Sequence, residues 1–252
     1  MKTFFICLLV GIAAQLIDGT LGMAYGVSCS TFLRTAGVSS AMSSACVHLA
    51  EIFTTLASGI SHFSMKNVNN GLLWRLAIPG VLGGCLGAYV LTAVNDRILS
   101  PLISAYLVVM GFVILSKMFK KADSTGEKPI GAWVCPLALA GGFSDSLGGG
   151  GWGPVVTSTL VAANHDIRKT IGSVNTAEFF VTLGESAVFL LTLPDLSALL
   201  PSILGLIVGG IIAAPIGAIL CRKLPVKPLL GIVGGVIVLI NGFRLVTALL
   251  AL

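Results

Sequence analysis

The sequence predicts an all-α polytopic membrane protein made of two inverted repeats, each a re-entrant or broken helical hairpin followed by three transmembrane helices. Three observations lead there. Of 252 residues, 56% are hydrophobic and 10% charged, whereas a soluble domain carries about 25% charged residues to cover its surface. The chain also matches itself at one fixed offset. Finally, its positive charges divide unevenly between the two ends of the predicted helices.

The repeat offset is 127 residues, the distance from Asp18 to Asp145. At this shift Gly22 meets Gly149, Tyr25 meets Trp152 and Gly26 meets Gly153. Ala50-Glu51 meets Ala177-Glu178, Phe53 meets Phe180, Gly83 meets Gly210 and Pro101-Leu102 meets Pro228-Leu229. Acidic residues are scarce, so two acidic matches in one ungapped register point to duplication. Residues 1–119 form the first transmembrane repeat, 120–129 a cytoplasmic linker and 130–252 the second repeat.

Each element follows from apolar length and its interruptions. The opening run MKTFFICLLVGIAAQ has the look of a signal peptide. Its counterpart at 130–144 lies mid-chain, which assigns the run to the fold instead. Residues 3–17 are read as a short helix, DGTLG (18–22) as a break, and the stretch to about 36 as a second short helix. Long helices follow near 39–63, 71–94 and 98–119; about 20 apolar residues span a bilayer. The second repeat reads 130–144, break 145–149, 150–163, 166–190, 198–221 and 225–250.

Charge chooses between a hairpin and a single broken span. In the hairpin topology the linker lysines Lys117, Lys120, Lys121 and Lys128 share one side with Lys66, Arg75, Arg168, Lys169, Arg222, Lys223 and Lys227. Only Lys2, Arg34, Arg97 and Arg244 face the other side. The broken-span topology largely erases this positive-inside bias. The net charge of +5 therefore reflects cytoplasmic loops, and no nucleic-acid partner is implied.

The breaks carry the functional expectation. A hairpin tip within a membrane must turn tightly, which glycine permits, and its free amides must face protein or a wet cavity. The second arm begins at the tip with a positive dipole end, which favours an anion. Asp18, Gly19, Thr20, Gly22 and Tyr25 of the first tip are the expected substrate contacts. Those of the second are Asp145, Ser146, Gly148, Gly149, Gly150, Gly151 and Trp152. Each aspartate also suits the role of cap for the second arm.

A polar stripe faces the tips. Ser44, His48, Glu51 and Thr55 share a helix face by spacing, as do Asn175, Glu178, Thr182 and Glu185. His48 and Asn175 are assigned to substrate. Glu51, Glu178, Asp18 and Asp145 are assigned to proton coupling, since a carboxyl in a low-dielectric interior can bind and release a proton near neutral pH. His48 and Glu51 have metal-ligand spacing, but Asn175 replaces the histidine in the second repeat, so no metal is expected. His62 and His165, near loop ends, are read as inert. The six cysteines, at 7, 29, 46, 85, 135 and 221, form no CxxC pair and read as packing residues.

These residues resemble the TauE/SafE sulfite-exporter family. GFSDSLGGGGWGP, from Gly142 to Pro154, fits that family's glycine-rich signature; QLIDGTLGMAYGV keeps Gly19, Gly22 and Gly26 but lacks the glycine run and the proline. The resemblance implies movement of a small anion, often sulfite or a sulfonate, across a bacterial inner membrane. Its expected partners are the anionic substrate, protons and the lipid bilayer, with no cofactor; oligomeric state is left open. Two alternatives stand beside a proton-coupled anion transporter. One is a cation or metal-ion transporter using the four intramembrane acids. The other is an intramembrane enzyme, poorly served by a chain without HExxH or GxSxG.

Overall fold

The computed structural model describes residues 2–116, 130–163, 165–193, 195–220 and 227–250, and these are helical with no strand among them. The expected linker 120–129, together with Lys117, Arg222 and Lys223, lies outside the described residues.

Among the described residues ten α-helices form in the order the hydropathy dictates: α1 Lys2–Leu21, α2 Tyr25–Thr35, α3 Ser40–Ser64, α4 Asn70–Ala93, α5 Asp96–Ser116, α6 Val134–Gly148, α7 Ser158–Ala162, α8 Ile167–Thr192, α9 Leu200–Leu220 and α10 Lys227–Leu250. Polar caps start three of them. Ser39 accepts from the Met42 amide at 3.4 Å, Asn69 from Leu72 at 3.1 Å and Asp166 from Lys169 at 2.8 Å, each satisfying an amide that the first turn leaves unpaired. Pro79, Pro101 and Pro215 lie inside α4, α5 and α9, as transmembrane helices tolerate when neighbours restore the lost bond.

Both breaks differ from their expected positions. Asp18, Gly19 and Thr20 belong to α1, and Asp145 to Ser146 and Gly148 belong to α6. The chain turns later, at Gly22 (φ 64°) and Ala24 (φ 98°), and at Gly149 (φ 64°) and Gly150 (φ 143°). Each aspartate therefore sits in a helix's last turn instead of opening the loop. The second arm after Gly150 begins as a π-turn, Gly153–Thr157, before α7. α1 is long as well as apolar, and it lies along α9.

Among the described residues five helical stretches are long and apolar enough to cross a membrane: Lys2–Thr20, Asn70–Ala93, Asp96–Ser116, Arg168–Thr192 and Ser197–Leu220. α3, at 25 residues, is long enough but not among them, because its buried face carries Ser44, His48, Glu51, Thr54, Thr55, Ser58 and His62. Large apolar side chains such as Leu239 and Phe243 point outward at 74% and 72% exposure, as expected where lipid and not water surrounds a bundle.

Glycine lets the backbones touch. A side chain at Gly205 would run into Phe4, Cys7 and Leu8; at Gly209, into Leu8 and Ile12; at Gly217, into Gln15 and Gly19. α1 and α9 thus run in the same direction. Gly80 faces Val181 and Gly84 faces Glu185, so α4 and α8 are parallel too. By contrast His48 meets Glu185 and His62 meets Asn175, which makes α3 and α8 antiparallel. Gly142 abuts the Gly80 carbonyl and the Gly84 amide. Gly142→Ala is therefore expected to push α6 off α4 and cost roughly 1–3 kcal/mol, read as a lowered unfolding midpoint in detergent.

Candidate functional site

The second break is organised by one side chain. Asp145 offers its backbone carbonyl to the amides of Gly149 and Gly150, the latter at 3.0 Å. Its carboxylate Oδ1 then accepts from Gly151 N at 2.6 Å and Trp152 N at 2.9 Å. The amides of 149–152 are all occupied by a single residue. This corrects the expectation of bare tip nitrogens: in this arrangement Asp145 fills them, reaching across the turn to cap the second arm.

The two breaks also touch each other. Thr157 Oγ1 donates to the Gly22 carbonyl at 2.7 Å. A Cβ on Gly150 would strike Gly26 and Val27, and one on Gly153 would strike Gly22 and Met23. Glycine is required at these positions by close approach, and at Gly150 by its φ as well.

Against this junction lies a charged cluster. His48 Nδ1 is 2.7 Å from the Ser44 carbonyl; a carbonyl only accepts, so Nδ1 carries the proton and Nε2 is left to face the acids. Nε2 lies 2.9 Å from Glu185 Oε2, 3.6 Å from Asp145 Oδ2 and 3.9 Å from Glu51 Oε2. These four atoms are buried and make no hydrogen bond by geometry. An imidazole nitrogen and a carboxylate oxygen at 2.9 Å repel unless a proton or a cation stands between them. Supporting bonds hold the frame: Ser44 Oγ donates to the Ser146 carbonyl at 2.6 Å, and Ser146 Oγ lies 2.8 Å from Glu185 Oε1. The ring of Phe189 sits 5.8 Å from that of His48.

His48, Asp145 and Glu185 can bring one ligand atom each within 4.8 Å of one another, a donor set also suited to a cation. Glu185 was visible in the sequence as the end of the second polar stripe, yet not singled out as a coupling residue. Tyr106, whose hydroxyl is buried beside Gly151 without a hydrogen-bond partner, carried no sequence signal.

Other expected contacts fall elsewhere. Thr20 Oγ1 is satisfied by the carbonyls of Leu16 and Ile17, and Gly19 packs on Gly217 of α9. The Tyr25 hydroxyl turns away to the Leu206 carbonyl at 3.1 Å. Trp152 brings its amide to the site, but its indole is in the core, donating to the Val174 carbonyl at 3.1 Å. Gly148 is covered by the ring of Tyr106. Asp18, buried beside the Tyr25 amide, and Glu178, 6% exposed, stand outside the ion pairs of His48. Asn175 Nδ2 lies 3.5 Å from His62 Nε2. His62 is thus buried and bonded, also reaching Asn67 at 3.3 Å, while His165 is buried with its ring 6.1 Å from that of Trp133.

At the 127-residue offset, His48, Asp145 and Glu185 correspond to Asn175, Asp18 and Ser58. The full cluster therefore belongs to one break alone, and its counterpart has one carboxyl, an amide and a hydroxyl in place of two carboxyls and an imidazole.

Comparison with known proteins gives two matches. The sequence pattern of the family described as Sulfite exporter TauE/SafE fits residues 7–244. The chain is 38% identical over 258 aligned positions to a Bacillus subtilis (strain 168) protein described as "Probable membrane transporter protein YtnM", with all of this chain and 85% of that one covered. No solved structure matches.

Proposed function

Because the chain belongs to the sulfite exporter TauE/SafE family of multi-pass membrane proteins, we propose that it is a secondary transporter moving a small, sulfur-containing oxyanion across the bacterial inner membrane with protons. The observation that carries this reading is Asp145. One of its carboxylate oxygens occupies the amides of Gly151 and Trp152 while the other faces His48. The Asp145 carboxylate is thus a built-in stand-in for an oxyanion. With a proton on Asp145 the charge that holds it on those amides is gone, and a sulfite oxygen can take the same donors. With the proton gone, the carboxylate returns and expels the anion. Proton and anion then travel together.

The surrounding acids fit this cycle. Asp145, Glu51 and Glu185 gather around one imidazole in the interior, and an anion would be repelled there unless protons neutralise them. Alternating access is supplied by inverted repeats. That architecture is supported by the antiparallel run of α3 against its counterpart α8. It is supported too by the placement of the hairpin ends. Phe4 lies near the start of α9 and Arg34 near the start of α5, positions that follow the parallel helices α8 and α4. α1 and α2 thus enter and leave at one end of the bundle. Ile130 receives a bond from Arg75 near the start of α4, a contact that supports a second hairpin entering from the other end.

The test is flux into proteoliposomes with sulfite, thiosulfate, sulfate or a sulfonate, with and without a pH gradient. Sulfite uptake should accelerate when protons are driven the same way, and flux indifferent to the gradient ends the coupling claim. Glu185→Gln keeps the shape of the cluster but not its charge. It is expected to lower flux by about ten-fold or more and to remove the response to pH. The donor set of His48, Asp145 and Glu185 favours a second reading, a transported cation. Inhibition of sulfite flux by Na⁺ or a divalent metal, with uptake of that ion, would select it.

A further inference from the structure

We propose that Arg34 and Arg244 form a second binding station for a small oxyanion, one helical turn from the glycine junction; the inference rests on the anion reading above. Arg34 is 1% exposed. Its Nη2 donates to the Ser100 carbonyl at 3.0 Å, to Ser100 Oγ at 3.1 Å and to Ser104 Oγ at 3.1 Å, whereas its Nε and Nη1 are buried without a partner. Arg244 on α10 donates through Nη1 to the Arg34 carbonyl, and its Nε is likewise buried and unpartnered. Among the described residues every ion pair belongs to His48. Asp96 lies in the neighbourhood, but its Oδ1 accepts from the Ser40 amide at 3.1 Å. Arg34 is therefore a buried guanidinium and Arg244 a partly buried one bonded to its backbone, neither of them in an ion pair, with Asp96 as the neighbouring acid.

A buried cation without a counter-charge is costly, and a guanidinium edge is shaped for an oxyanion. The unpartnered N–H groups are the donors such a ligand would use. α10 is positioned for this by Asn241, three residues before Arg244, whose Nδ2 donates to Thr31 Oγ1 on α2 at 3.0 Å.

Placement on α2 ties the station to the junction. Gly26, Ser30 and Arg34 are spaced by four and share one helix face. Gly26 meets Gly150 and Ser30 meets Gly149, so Arg34 stands about 6 Å further along the same face. An anion released from the amides of Gly151 and Trp152 has this pair next along α2, and one arriving from that end meets it first.

The experiment uses the full-length protein purified in detergent, with its thermal midpoint followed against sodium sulfate at constant ionic strength. Sulfate is expected to stabilise the wild type, and Arg244→Gln to need about ten-fold more sulfate for the same effect, with Arg244→Lys in between. Arg244 is the residue of choice because Arg34→Gln also strips Ser100 and Ser104 of their donor and can fail to fold. In proteoliposomes the same Arg244→Gln should raise half-saturating sulfite with maximal flux retained. Identical sulfate dependence in wild type and variant, or no stabilisation of the wild type, overturns the station. Sulfite flux that proceeds with unchanged half-saturation in the variant also overturns it, while leaving the transport reading intact. Arginine-dependent sulfate stabilisation without any sulfur-oxyanion flux does the reverse.

Discussion

Asp145→Asn is expected to cut anion flux by about a hundred-fold while the protein still inserts and purifies as a monodisperse species. Asparagine keeps an Oδ1 acceptor for Gly151 and Trp152, so the second break can still be capped. It loses the negative charge facing His48 Nε2 at 3.6 Å and can no longer take up and release a proton. The substitution thereby separates the structural role of the side chain from its chemistry. Asp145→Ala makes the contrast. It leaves two buried amides without acceptors, at about 1–3 kcal/mol each, and is expected to reduce the yield of folded protein. Flux at the wild-type level in Asp145→Asn would remove the aspartate from the coupling scheme.

Gly150→Ala is expected to be the most damaging single change to the fold. Its φ of 143° is open to glycine and costs other residues about 1–3 kcal/mol. The new methyl would also strike the backbone of Gly26 and Val27, which cannot rotate away, adding roughly 1–3 kcal/mol. Together these reach about 2–6 kcal/mol, a large share of the stability of a typical domain, about 5–15 kcal/mol. Size-exclusion profiles and thermal midpoints in detergent should show aggregation or a large drop. Two further glycines act as controls. Gly37 has φ 90° with nothing near its missing Cβ, and Gly235 has neither strain nor neighbours. Gly37→Ala should show the strain alone, and Gly235→Ala should be close to silent.

Much of the architecture was legible because long apolar helices announce themselves. The expected 39–63 became Ser40–Ser64 and 71–94 became Asn70–Ala93. The breaks were displaced by about a turn for a physical reason. Aspartate shortly before glycine reads as a breaker, but Asp145 ends a helix by reaching forward to amides six and seven residues ahead, a reach no local rule contains. Ala24 at φ 98° was beyond sequence reading, since alanine has no special claim on that region. The buried polar stripes were visible from spacing. Which acids meet His48 was not, because that depends on α3 and α8 crossing antiparallel. Glu185 is chosen over Glu178 by that crossing alone.

Helix α3 carries one more implication, for how the protein is made. Its polar face disqualifies it from leaving the translocation machinery for lipid by hydropathy alone, since ionisable groups at mid-bilayer resist insertion. The surfaces that shelter that face belong to α8 and α9, which are synthesised more than a hundred residues later. Biogenesis must therefore hold the first half in waiting until the second emerges, so a ribosome stalled before Ile167 yields an intermediate dependent on chaperoning, and the halves reach maturity as a pair.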